Sequence, residues 1–270
     1  MIQGKPMTDS SSPKDQDNPT DALPFAAPCK DLQPDAPLRW IKLGWQDLRR
    51  APAQSLGYGA ILVALSYLLA YLAVTFGNYV VLLALLSGFV FVGPLLAMAF
   101  YDISLQLQNG RKPTLGHSLR NSSRHIGNQM VFALILMIVF LVWARAASMI
   151  HVFWPALASP SLADLAIFFG VGTLVGSMFA AFVFCISAFS LPMIMDRDAD
   201  MVTAVVTSFN AVLRNKATMV VWVLLIVAAV AVGIFTAFIG LAITLPLIGH
   251  ATWHAYLETI DSSAWPRHKE

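Results

Sequence analysis

From Thr218 to Leu257 the chain runs through 40 residues without one Asp, Glu, Lys or Arg. A single helix of that length would reach about 60 Å, roughly twice the hydrocarbon thickness of a bilayer. Two helices joined by a tight turn fit better, and Gly233 and Gly240 mark where the turn would fall, near Phe235–Gly240. Three more runs long enough to span precede it, at about 56–76, 128–150 and 166–191, and a fourth, at 78–101, follows the first after a Gly-Asn turn. The expectation is an all-α polytopic membrane protein of six transmembrane helices in three hairpins, at about 56–76, 78–101, 128–150, 166–191, 218–235 and 238–257. Composition agrees: 57% of residues are hydrophobic and 12% charged, against about 25% charged in an ordinary soluble domain. The mean hydropathy is +0.68.

The ends differ from the middle. Residues 1–36 are rich in Pro, Asp, Ser and Lys and read as a disordered cytoplasmic tail, because they cannot bury enough apolar area to offset ordering. They lack the apolar core of a signal peptide, so export through a cleaved signal is not expected. Residues 37–258 form the membrane domain, and 259–270 a short cytoplasmic tail.

Charge placement sets an orientation. Arg39, Lys42, Arg49 and Arg50 precede the first span; Arg111, Lys112, Arg120 and Arg124 follow the second; Arg197, Arg214 and Lys216 follow the fourth; Arg267 and Lys269 follow the sixth. The three opposite connections carry no Lys or Arg. Since cations stay inside, both termini and both long loops are expected on the cytoplasmic side. The run "LPMIMDRDADMVTAVVTSFN" then opens a cytoplasmic connection. Asp198 or Asp200 would cap its helix, with Met201, Val202, Val205, Val206, Phe209, Val212 and Leu213 on an apolar face and Thr203, Thr207, Asn210 and Arg214 flanking it. Residues 38–49 make a similar interfacial helix, with an apolar stripe of Leu38, Ile41, Trp45 and Leu48 and with Arg39, Lys42, Gln46 and Arg49 toward water. Lys112–Ile126 is a fainter version. These helices serve as anchors or as partner- or lipid-binding surfaces.

An internal echo links "GFVFVGPLLAMAFYD", from Gly88, with "GLAITLPLIGHATWH", from Gly240. It aligns Pro94 with Pro246, Tyr101 with Trp253 and Asp102 with His254. Pro94, Pro192 and Pro246 are expected to kink or loosen the three even-numbered spans. The polar ends of those spans would meet at one membrane face, bringing Asp102, Asp196, Arg197, Asp198, His250 and His254 toward a polar vestibule. The alternative is that each marks the water boundary and pairs locally. His250 and His254 stand one turn apart, a spacing that suits a metal, but no third ligand follows in sequence and none is assigned. Gly172, Gly176 and Ala180 make a small-residue face for close helix packing, within the bundle or between protomers. Trp143, Trp154 and Trp253 suit an aromatic belt. Cys29 and Cys185 have no C-x-x-C spacing. No phosphate-cradling loop, nucleophile elbow or intramembrane carboxylate pair is present, no cofactor is expected, and a net charge of +2 gives no reason to expect nucleic acid.

The blocks "SLPMIMDRDADMVTAVVTSFNAV", "LPLIGHATWHAYLE", "PLRWIKLGWQDLRRAPAQSLGYG" and "GPLLAMAFYDIS" resemble the DUF2189 family of bacterial integral membrane proteins, over about residues 36–258. The resemblance implies six spans in an inner membrane and carries no activity with it. Two readings follow. One is a non-catalytic accessory, assembly or envelope component acting through protein or lipid contacts, with a membrane-protein partner or a second copy of itself. The other is a small transporter using the vestibule.

Overall fold

The computed structural model describes residues 24–76, 88, 91–114, 116, 118, 126–153 and 161–267. Its named helices are α1 (Ala36–Arg50), α2 (Pro52–Phe76), α3 (Met98–Gln108), α4 (Ile126–Phe153), α5 (Leu162–Ser187), α6 (Ser190–Asp196), α7 (Met201–Arg214), α8 (Lys216–Phe235) and α9 (Leu241–Thr259). Among the described residues the only extended pairing is two isolated bridges, Cys29 with Ile260 and Arg197 with Arg267.

Four helical segments are long and apolar enough to cross a membrane: Pro52–Thr75, Gly127–Met149, Leu162–Asp196 and Lys216–Phe235. The expected span at 78–101 falls largely outside the described residues; its end is helical over 91–96 and turns at Ala97 before α3. The expected span at 238–257 does form a helix, α9, but not one of the four. Polar residues fill its second half, and that half is enclosed by protein. The turn before it lies where the glycines place it. Ala237 and Phe238 take left-handed φ values of 52° and 66°, and the Phe238 N–H closes on the Gly233 carbonyl at 2.9 Å, capping α8.

α9 is the hub. It packs on α1, α2, α3, α6 and α8, and glycines let the backbones approach. A Cβ on Gly44 of α1 would lie 2.7 Å from the Ala251 nitrogen. One on Gly59 of α2 would lie 2.5 Å from the Ala242 carbonyl oxygen. That carbonyl is the one Pro246, four residues on, cannot serve with an N–H, so the missing side chain lets α2 cover it. Pro246 is therefore accommodated inside a continuous helix. Pro192 acts one turn upstream: the helical run breaks at Ala188–Phe189, between α5 and α6, where the proline ring crowds the carbonyl four residues back. Ser208 repairs the break, accepting from the Phe189 N–H at 3.1 Å and donating to the Cys185 carbonyl at 2.8 Å.

Residues 24–35, expected from composition as part of a disordered tail, are docked through their backbone N–H groups. The Ala27 N–H donates to Thr207 Oγ1 at 2.9 Å, the Lys30 N–H to the Thr259 carbonyl at 2.8 Å and the Leu32 N–H to Asn215 Oδ1 at 2.8 Å. The far tail is tied down too: the Asp198 N–H donates to the Pro266 carbonyl and Trp265 is buried.

Two amphipathic readings change as well. Asp200 caps α7 through the Thr203 N–H at 2.9 Å, but Thr203 and Thr207 are buried while Val202 and Leu213 are exposed. α7 packs through Met201, Val212 and its small and hydroxyl residues and turns Val202 and Leu213 outward. α1 buries Trp40, Gly44, Asp47 and Leu48 and leaves Leu38 and Trp45 exposed. Lys112–Ile126 lies mostly outside the described residues.

Candidate functional site

The second half of α9 gathers the polar side chains. His250 projects one turn before His254, and the segments that meet them are α1, the first turn of α2, and α3. Asp47 of α1 accepts from Ser104 Oγ of α3 at 2.8 Å and pairs with His254 Nε2 at 2.8 Å. His250 Nδ1 lies 2.8 Å from Ser104 Oγ, and its Nε2 2.9 Å from Ser55 Oγ of α2. Proton bookkeeping orders this chain. Ser104 has one proton, and Asp47 takes it, so Ser104 accepts from His250 Nδ1–H and Ser55 donates to Nε2. The result is Ser55–His250–Ser104–Asp47–His254, running from fully buried Ser55 and His250 to partly exposed His254. Burial pushes the Asp47 carboxyl up, but the hydrogen bond and charge of His254 and the Ser104 hydroxyl outweigh it. The carboxyl is held below the usual carboxylate value.

A serine–histidine–acid chain invites comparison with nucleophilic catalysis. Ser55 is 0% exposed, so no carbonyl substrate can reach it in this arrangement. Both His250 nitrogens are engaged by hydroxyls. Among the described residues no group of three or more His, Cys, Asp or Glu is placed to hold a metal.

Two neighbouring clusters continue the pattern. Asp102 on α3 is buried and accepts from Gln106 Nε2 at 2.5 Å, and the same nitrogen reaches Ser118 Oγ at 2.9 Å. Asp196 at the end of α6 accepts from Arg197 Nε and from the Tyr256 hydroxyl, each at 2.9 Å. Further along α9, Glu258 takes Arg39 at 2.6 Å and Trp40 Nε1 at 2.8 Å. Asp198 is exposed.

Of the six residues expected to line a vestibule, the structure thus brings His250 and His254 into one chain and places Asp102 in a second cluster. Asp196 and Arg197 form a third, and Asp198 lies outside all of them. The five that cluster are closed on protein partners. An apolar cavity of about 240 Å³ among the described residues lies elsewhere, between the residues around Phe91 and α4, lined by Phe91, Leu95, Leu136 and Phe140 among others.

Sequence reasoning missed Asp47, Ser55, Ser104 and Tyr256. Asp47 was legible: it is the one acid in a helix with four cations, and Trp40, Gly44, Asp47 and Leu48 share a face at helical spacing. Trp253, expected in an aromatic belt, is fully buried against protein, its Nε1 donating to Gln108 at 3.1 Å. The echoed segments pack on each other: Phe100 meets His250 edge-on at 5.7 Å, and a Cβ on Gly249 would lie 2.6 Å from Phe100 Cβ. The small-residue stripe behaves otherwise. A Cβ on Gly172 or Gly176 meets nothing within 4 Å, and Ala180 is exposed, so the stripe makes no close helix contact inside the described chain. Asp164 serves in the capping box of α5 with Ser161.

Residues 81–196 match the family model described as "Predicted integral membrane protein (DUF2189)". The match takes in Pro94, Asp102, Pro192 and Asp196; α1 and α9 lie outside it. No curated protein and no solved structure matches. The chain is an integral membrane protein with several apolar helices.

Proposed function

We propose that the protein is a non-catalytic component of a bacterial inner membrane, acting through protein or lipid contacts rather than by moving a solute. The observation that carries this reading is the closed polar core. Five of the six suspected vestibule residues satisfy one another or neighbouring side chains, and Ser55, the hydroxyl that donates to His250, is sealed from solvent. A transport site needs polar groups that face a cavity and exchange partners.

In this reading the chain crosses six times with both termini cytoplasmic. The sequence around residues 78–101 supplies one further crossing and α9 the other. A helix enclosed by neighbours needs no apolar face toward lipid, so α9 can cross despite its histidines. The distribution of Lys and Arg supports the orientation.

The test is purification of the tagged full chain in mild detergent with identification of co-purifying proteins and lipids. It is paired with D102N, D196N and H254A variants followed for both growth phenotype and thermal unfolding. A structural core predicts that the phenotype tracks the loss of stability. A growth phenotype at unchanged stability would instead favour transport.

A further inference from the structure

α1 has two faces of different chemistry. One is buried on α9, as described above, and holds the helix's only acid, Asp47. The other carries Leu38, 64% exposed, and Trp45, 44% exposed. At 100° per residue, Trp45, Leu38, Arg49 and Lys42 fall within about 60° of arc, and Arg50 follows in the same last turn. Arg39 is held by Asp35 and Glu258. Lys42, Arg49 and Arg50 are exposed and have no hydrogen-bond or ion-pair partner among the described residues. The outward face therefore presents an apolar ridge beside three unneutralised cations, with no anion on it.

Position selects what covers it. The apolar window of α2 opens at Pro52, two residues after Arg50. A cation row joined so closely to a spanning helix lies at headgroup depth, where a bilayer turns from hydrocarbon to phosphate. We infer that Lys42, Arg49 and Arg50, with Leu38 and Trp45, form a docking face for acidic phospholipid headgroups. The cations meet the headgroup charge while the two apolar side chains enter the acyl boundary. This rests on the membrane reading above and specifies the lipid contact it leaves open.

The full chain in detergent is titrated with dioleoylphosphatidylglycerol or dioleoylphosphatidylcholine, and bound lipids are counted by native mass spectrometry. The wild type is expected to retain the acidic lipid in preference, and K42Q, R49Q and R50Q each to lower that preference about five-fold. K30Q, which removes an exposed cation of the docked segment 24–35, leaves it unchanged. W45F lowers the quenching of fluorescence by brominated phosphatidylglycerol. An equal loss in K30Q overturns the proposal, because the preference would then belong to a general field. Binding seen only after deletion of residues 1–23 also overturns it, because the acidic tail would then be the occupant. Resistance to alkaline carbonate extraction without any acidic-lipid preference ends this inference and leaves the membrane reading standing; extraction ends the membrane reading itself.

Discussion

The hub around α9 and the packed pair α4 and α5 are built on opposite rules. The hub carries the histidines, carboxylates and hydroxyls, yet His250, Asp102, Ser55 and Thr259 are fully buried there. The pair is almost wholly apolar, yet only 17% of the α4 window is buried, and Phe169, Leu174 and Met178 stand outward from α5. In water that would be inside out. In lipid it is expected: apolar side chains gain nothing by leaving acyl chains, so close packing concentrates where small residues and hydrogen bonds hold helices together. Glycine use follows the same division. Gly44, Gly59 and Gly249 are filled by a neighbouring helix, and Gly172 and Gly176 face open space.

The widest break in this contrast comes from Asp47. Asp47→Ala removes the acceptor for Ser104 and the partner of His254, and strands His250 in a sealed site. The expected loss is about 3 kcal/mol, read as a lower midpoint of thermal unfolding in detergent. In a double-mutant cycle with His254→Ala the two losses should fall well short of adding, since they break one contact. Additive losses would mean that the pair does not couple α1 to α9.

Next is the backbone approach itself. Gly44→Ala places a methyl against the Ala251 nitrogen and the Leu247 carbonyl, 2.7 and 2.8 Å away. Both are backbone atoms that cannot rotate aside, so α1 must lift from α9 at a cost of about 2 kcal/mol. Unchanged stability would show that the two helices are not held this closely.

A pH titration sharpens the same junction. The Asp47 carboxyl is depressed in the folded chain, so its contribution is complete above the unfolded carboxylate value, about 3.9. It is lost as pH falls through the lower folded value. Asp200 behaves alike: burial raises it, but the Thr203 hydrogen bonds more than offset that. Acid unfolding should therefore be shallower in Asp47→Asn than in the wild type, by less than the alanine effect at neutral pH. Identical slopes would remove Asp47 from the acid response.

How much of this was legible depended on whether a residue's neighbours lie on its own helix. Periodicity and length recovered α2, α4, α5, α8 and the turn at Thr236–Gly240, since each is decided within its own segment. Asp200 as the cap of α7 was legible for the same reason. The buried chain was not, because Asp47 and His254 are 207 residues apart and no local rule joins them. The buried face of α1 was missed because hydropathy ranks Leu38 and Trp45 above Gly44 and Asp47, and in a membrane hydropathy reports the lipid side of a helix rather than its protein side. The docked tail was missed for a related reason. Residues 24–35 are fixed by backbone hydrogen bonds to α7, α8 and α9, and backbone groups carry no compositional signal.

The smallest expected effect is the most discriminating. If α5 turns Gly172 and Gly176 toward lipid, a methyl at either position meets nothing and removes the helix penalty of glycine. Gly176→Ala should then be neutral or stabilising by up to about 1 kcal/mol, with no change in particle mass by light scattering in detergent. If the stripe instead seats a second copy of the chain, the same methyl holds two backbones apart. It would then lower both the unfolding midpoint and the mass. The two outcomes differ in sign, so one substitution decides whether the empty glycines of α5 are a surface for lipid or for another protomer.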